Sequence, residues 1–189
     1  MAMWDRIKDQ AKSLQQSRGA QGADGQGHGP QPGPQPGAGP GAGSRAQLVS
    51  LLKSQLSSAR AELKSGAYRD ASMAMCALVA AADGHVDAAE RQRMESMIVD
   101  NDVLRNFPAD QLRRRFNTHV DRLMADFRTG RAEAMQEIAK VARKPTEARA
   151  VIQTGIVIAG ADGYFAQAEQ HVIREACTAL GLSPAEFGL

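Results

Sequence analysis

Two stretches carry carboxylates at a spacing that could hold a cation. The first is Ala80-Ala-Ala-Asp-Gly-His-Val-Asp-Ala-Ala-Glu90 and the second is Ala159-Gly-Ala-Asp-Gly-Tyr-Phe-Ala-Gln-Ala-Glu169. Both read Ala-x-Ala-Asp-Gly-x-apolar-x-x-x-Glu, and the offset is constant at 79 residues, from Asp83 to Asp162 and from Glu90 to Glu169. Asp-Gly-x-apolar-x-x-x-Glu is the latter half of an EF-hand loop, its positions 5, 6, 8 and 12, with Asp87 at position 9 of the first copy. The glycine permits a sharp turn, the apolar residue anchors it, and the glutamate returns one helical turn later to the same centre. The candidate ligands are therefore Asp83, Asp87, Glu90, Asp162 and Glu169, and the expected ion is a divalent cation, calcium first. Loop positions 1 and 3 would fall on Val79 and Ala81, or on Ile158 and Gly160, none of which brings a side-chain oxygen. One copy thus falls short of the roughly six to eight oxygens that calcium takes. Two copies across an approximate two-fold, helped by backbone carbonyls and water, would come closer.

A second reading of the same residues stays open. Asp-Gly can simply end a helix, and Asp87-Ala-Ala-Glu90 fits a capping box that opens the next one. The second copy fits less well, because Ala166 stands where a capping side chain belongs while Glu169 is still present.

Other chemistry is thinner. His85, His119 and His171 have no metal-ligand spacing with cysteine and read as solvated or satisfied histidines. Arg113, Arg114, Arg115, Arg122 and Arg128 make one basic helix side, read as a solvated face because no aromatic residues interleave it. Cys76 and Cys177 both lie in apolar helical runs and read as buried, reduced thiols of a cytoplasmic protein. There is no phosphate loop, no nucleophile elbow and no His-Glu-x-x-His, so no enzymatic activity is expected.

The elements that must position the turns are all helical. Residues 2–17 place Met3, Trp4, Ile7, Ala11 and Leu14 on one stripe, and residues 1–18 read as a short amphipathic helix. A membrane surface, a partner groove and the domain itself are all open as its resting place. Residues 19–43, almost wholly Gly, Pro, Gln and Ala, cannot bury enough apolar surface to offset their ordering entropy and read as a disordered linker. The remaining 44–189 has the size of one domain. Its periodicity predicts seven helices: from Ser44 to a stop at Gly66, 68–82, 88–100, Pro108 to Gly130, 131–143, 146–161 and 167–180, then a capped last turn at Ser183-Pro184. No stretch alternates long enough to be a strand. With 4% aromatics, the core must be built of Ala, Leu, Val, Ile and Met. A net charge of +2 argues against a nucleic-acid partner, and no apolar run reaches the roughly 20 residues of a membrane span.

Met3-Trp4-Asp5-Arg6-Ile7-Lys8, the two Asp-Gly turns and the ending Leu180-Gly-Leu-Ser-Pro-Ala-Glu-Phe-Gly-Leu189 resemble the bacterial TerB family of tellurite-resistance proteins. The resemblance covers 1–17 and nearly all of 44–189. It implies an all-α bundle of about seven helices in two related helix–turn–helix halves. It also implies a non-enzymatic accessory role in tellurite and stress resistance, beside TerC-like membrane proteins and calcium-binding TerD-like proteins. The proposed metal site of the family falls, by position, on Asp83, Asp87, Glu90, Asp162 and Glu169. Two alternatives stand beside that expectation: a structural adaptor whose acidic turns only cap helices, and an enzyme acting on tellurium oxyanions, which would need a reactive thiol. The linker, and Ala166 where an acidic residue is common, depart from the family pattern.

Overall fold

The computed structural model describes residues 42–161 and 165–189. Seven α-helices and two 3-10 turns follow in order: α1 (Ala42–Ala59), α2 (Gly66–Ala80), α3 (Ala88–Asp100), the turn Leu104–Asn106, α4 (Ala109–Ala125), α5 (Phe127–Ala139), α6 (Pro145–Ala159), α7 (Gln167–Leu180) and the turn Pro184–Phe187. No strand occurs among the described residues. The amphipathic helix expected at 1–18 and the linker expected at 19–43 lie outside the described residues, except that α1 takes in Ala42 and Gly43.

The fold is built round two helices that are apolar on nearly every side. In α2, Tyr68 and the whole run from Ala71 to Ala80 are buried. In α6 the buried set is Ala148, Ala150 to Ile152 and Thr154 to Ala159. A helix buried all round needs neighbours on every face, and these two pack on each other more extensively than any other pair. Gly155 lets them approach, since a Cβ there would meet Met75 Cγ at 2.8 Å. The hydroxyls of Tyr68 and Thr154, both buried, share a hydrogen bond of 3.0 Å across this contact.

The duplication seen in the turns extends to the helices. Gly66–Ala80 and Pro145–Ala159 have the same length and the 79-residue offset at both ends, and Ala88 and Gln167 open α3 and α7 at that same offset. The packing is exchanged between the halves: α1 lies on α6, while α5 lies on α2. Each half therefore covers the other's central helix. The single α4 has no counterpart and packs on α2 and α5 through Leu112, Phe116, Val120 and Leu123.

Several boundaries differ from the periodicity. Helix α1 ends at Ala59 rather than running to Gly66, because 60–62 turns and Asn106 Nδ2 donates to the carbonyls of Arg60 (2.8 Å) and Leu63 (3.1 Å). Gly66 is thus the first residue of α2, behind the N-cap Ser65, whose Oγ accepts the Tyr68 N–H at 3.0 Å. Gly130 does not close α4. Asp126 breaks the run instead, its carboxylate accepting the backbone N–H and the hydroxyl of Thr129 at 3.1 and 2.9 Å, which opens α5 at Phe127. Gly130 lies within α5, pressed on the end of α4, where a Cβ would stand 2.6 Å from the Leu123 nitrogen. Ser183 makes no side-chain cap on the last turn. Gly181, at φ 69°, ends α7 in a left-handed cap, with the Leu182 N–H reaching Cys177 O at 2.9 Å.

Candidate functional site

The first Asp-Gly turn is held by local hydrogen bonds. The Gly84 N–H closes on Ala81 O at 2.9 Å, and φ of 89° at Gly84 is a conformation that glycine adopts without strain. Asp83 Oδ1 accepts the His85 N–H at 3.1 Å, which fixes the turn. Val86 is buried and anchors the loop, as its place in the motif predicts. Asp87 Oδ1 accepts the Glu90 N–H at 2.8 Å, so Asp87 caps α3. Glu90 is buried at the third position of that helix.

The second turn repeats part of this. Asp162, Gly163 and Tyr164 lie outside the described residues, so the placement of one of the five candidate ligands is not described. Beyond them, Glu169 is only 4% exposed, and its Oε2 accepts the Ala166 N–H at 2.7 Å. This is the returning half of a capping box. Alanine has no oxygen to supply the other half, so the carboxylate alone orders the entry to α7. Gln170 Nε2 donates to Phe165 O at 3.1 Å and holds the same corner.

Asp83, Asp87 and Glu169 therefore each hold a backbone N–H, and Glu90 and Glu169 occupy matching buried places in the two halves. Among the described residues, no three His, Cys, Asp or Glu side chains are grouped so as to hold a metal ion. Residues that flank the two turns share one surface feature. Ala82, at the start of the first turn, and Gln167 and Ala168, at the start of α7, line one open hollow of about 460 Å3 with Phe127, Arg131 and His171. Phe127, 37% exposed, and Leu51 are the two large apolar residues left exposed among the described residues. The sequence reading placed Phe127 inside a longer α4 and missed this role. The Asp126-x-x-Thr129 cap was the signal for it.

The thiols are sealed. Cys76 is fully buried and burial pushes its pKa up to about 12; Cys177, also buried, is pushed up to about 11, by burial first and by Glu186 second. Of the histidines, His85 and His171 are exposed as expected. His119 is not satisfied: it is buried, and its Nδ1 has no hydrogen-bond partner. No helix among the described residues is long and apolar enough to cross a membrane.

Residues 69–189 match the model of the family described as tellurite resistance protein TerB. Comparison with curated proteins and with solved structures gives no match.

Proposed function

The chain belongs to the TerB family of tellurite resistance proteins, and from that premise we propose that it is a non-enzymatic accessory protein that works by binding a partner protein. The hollow lined by residues flanking the Asp-Gly turns carries this reading, with Phe127, partly exposed, Arg131 and His171 in its lining. Half-exposed aromatics flanked by guanidinium groups are the composition of protein-binding patches. The acidic turns then serve to set the helices that frame the hollow, because their carboxylates hold backbone N–H groups. The partners that fit the family are TerD-like proteins and a TerC-like membrane protein, met at the inner face of the membrane from the cytoplasm. The sealed thiols speak against direct chemistry on tellurium oxyanions, since a thiol with a pKa near 11 or 12 is almost wholly protonated at neutral pH. The test is binding of the full chain to purified TerD-like and TerC-like proteins. Phe127→Ser with Arg131→Gln is expected to weaken binding about tenfold or more; unchanged affinity would remove the hollow from the reading.

A divalent cation, calcium first, is the second reading. It is favoured by the buried glutamates at equivalent positions, Glu90 and Glu169, with Asp83, Asp87 and Asp162 as the other ligands. A cation at about 100 times its dissociation constant would add roughly 2.7 kcal/mol of stability. Asp162→Asn with Glu169→Gln would abolish that response. A melting temperature unmoved by millimolar calcium, magnesium, manganese and zinc ends this reading and leaves the turns as caps.

A further inference from the structure

We propose that a second hollow, along α4, is a binding site for a small phosphate-bearing anion. It holds about 510 Å3 and is lined by Gln111, Arg114, Arg115, Thr118, His119 and Arg122, with Glu137 of α5 as its one carboxylate. The six α4 residues fall at intervals of three and four, so they form one stripe of the helix, three guanidinium groups deep. The neighbouring acids leave those groups with donors to spare. Arg114 and Arg115 stand 3.7 and 3.6 Å from Asp110 and Asp70, beyond hydrogen-bond length, and Asp70 is already held by Arg69 Nε at 2.7 Å. Arg122 is the one firmly paired, with Glu133 at 2.9 Å. Glu137 is itself neutralised by Lys140 at 2.6 Å. Arg69 Nη1 donates to Gln111 Oε1 at 2.8 Å, which leaves the Gln111 amide hydrogens as donors at one end of the stripe.

His119 is the one buried polar residue of α4 that lines this hollow. It is 8% exposed, lies in the lining, and carries a buried Nδ1 with no partner, a costly condition for a polar atom. Burial lowers its pKa, against the pull of Glu137 from α5 and Asp70 from α2 and with the push of Arg122 and Arg115 on its own helix. An anion held by Arg115 and Arg122 offsets their push on the imidazole, so anion and proton are taken up together. A guanidinium row of this kind matches phosphate oxygens in both charge and geometry.

The experiment titrates the full chain with inorganic phosphate and pyrophosphate against chloride at equal ionic strength. Amide shifts at Thr118 and His119 and the imidazole titration of His119 are followed. Expected are saturable shifts confined to the lining, tighter for pyrophosphate, and a rise in the His119 pKa. Arg114→Gln with Arg115→Gln, both exposed positions, should weaken binding about tenfold, whereas Arg113→Gln with Arg128→Gln, basic residues outside the lining, should leave it within about twofold. Glycerol phosphate and vesicles carrying phosphatidic acid separate a soluble from a lipid-borne source; binding of either supports the site. Phosphate acting no better than chloride, or an equal loss in both double variants, would overturn it, since a diffuse basic surface behaves in that way.

Discussion

The polar residues divide by whether their task is local. Asp87, Asp126 and Ser65 accept an N–H three residues on, and such caps are visible in a sequence because donor and acceptor lie in one short window. The Tyr68–Thr154 bond and the orphaned Nδ1 of His119 depend on residues brought together only by tertiary packing, and no spacing announces them. Tyr68→Phe leaves the Thr154 hydroxyl buried without its partner and is expected to cost about 1–3 kcal/mol, while adding Thr154→Val should recover part of the loss. Thermal or denaturant unfolding of the two variants checks the pair. His119 makes an opposite kind of contribution. Its pKa in the folded protein is below the ordinary 6.5, so the unfolded chain binds the proton more tightly. Stability is then complete above about pH 6.5 and falls as the pH drops through that value toward the folded pKa. Melting temperatures from pH 7.5 to 5 should show this fall in phosphate-free buffer, and His119→Gln should reduce it.

At the scale of elements, periodicity and stop signals located the seven helices of the described residues and their all-α class, because each carries its own apolar stripe or, in α2 and α6, an unbroken apolar run. They failed where a signal had two meanings. Gly66 and Gly130 read as helix stops, yet Gly66 begins α2 and Gly130 sits inside α5. The role of Gly130 is close approach, and the structure ranks two glycines by what surrounds them. At Gly130 a Cβ would strike the α4 backbone, 2.6 Å from Leu123 N and 2.8 Å from Arg122 O. At Gly155 it would strike Met75 Cγ at 2.8 Å, a side-chain atom of a buried methionine rather than backbone. Gly130→Ala is therefore expected to cost more than Gly155→Ala, about 3 kcal/mol or more against about 1–3 kcal/mol, measured by chemical denaturation. Equal costs would show that α4 and α5 can separate without penalty. Asp87→Ala should cost about 1 kcal/mol as a lost cap.

For the whole molecule, the repeat was legible as an offset of 79 residues in the turns, but its packing was not. Spacing along a chain shows that two halves are alike and is silent on which half covers which. The exchange of α1 onto α6 and α5 onto α2 means that neither half can bury its own central helix. A fragment of residues 109–189 keeps α6 without α1, so it should leave the apolar faces of that helix open and should fold only by pairing with a second copy. Sedimentation of the fragment, with circular dichroism for its helix content, reads both outcomes; a folded monomer would contradict the exchange.

Helices that reach across to the opposite half need not stay within one polypeptide. The link between α5 and α6, the short stretch 140–144, is the place where one molecule could hand its arm to another. Shortening that link would favour the trade, giving interlocked dimers at high concentration that contain the same contacts as the monomer.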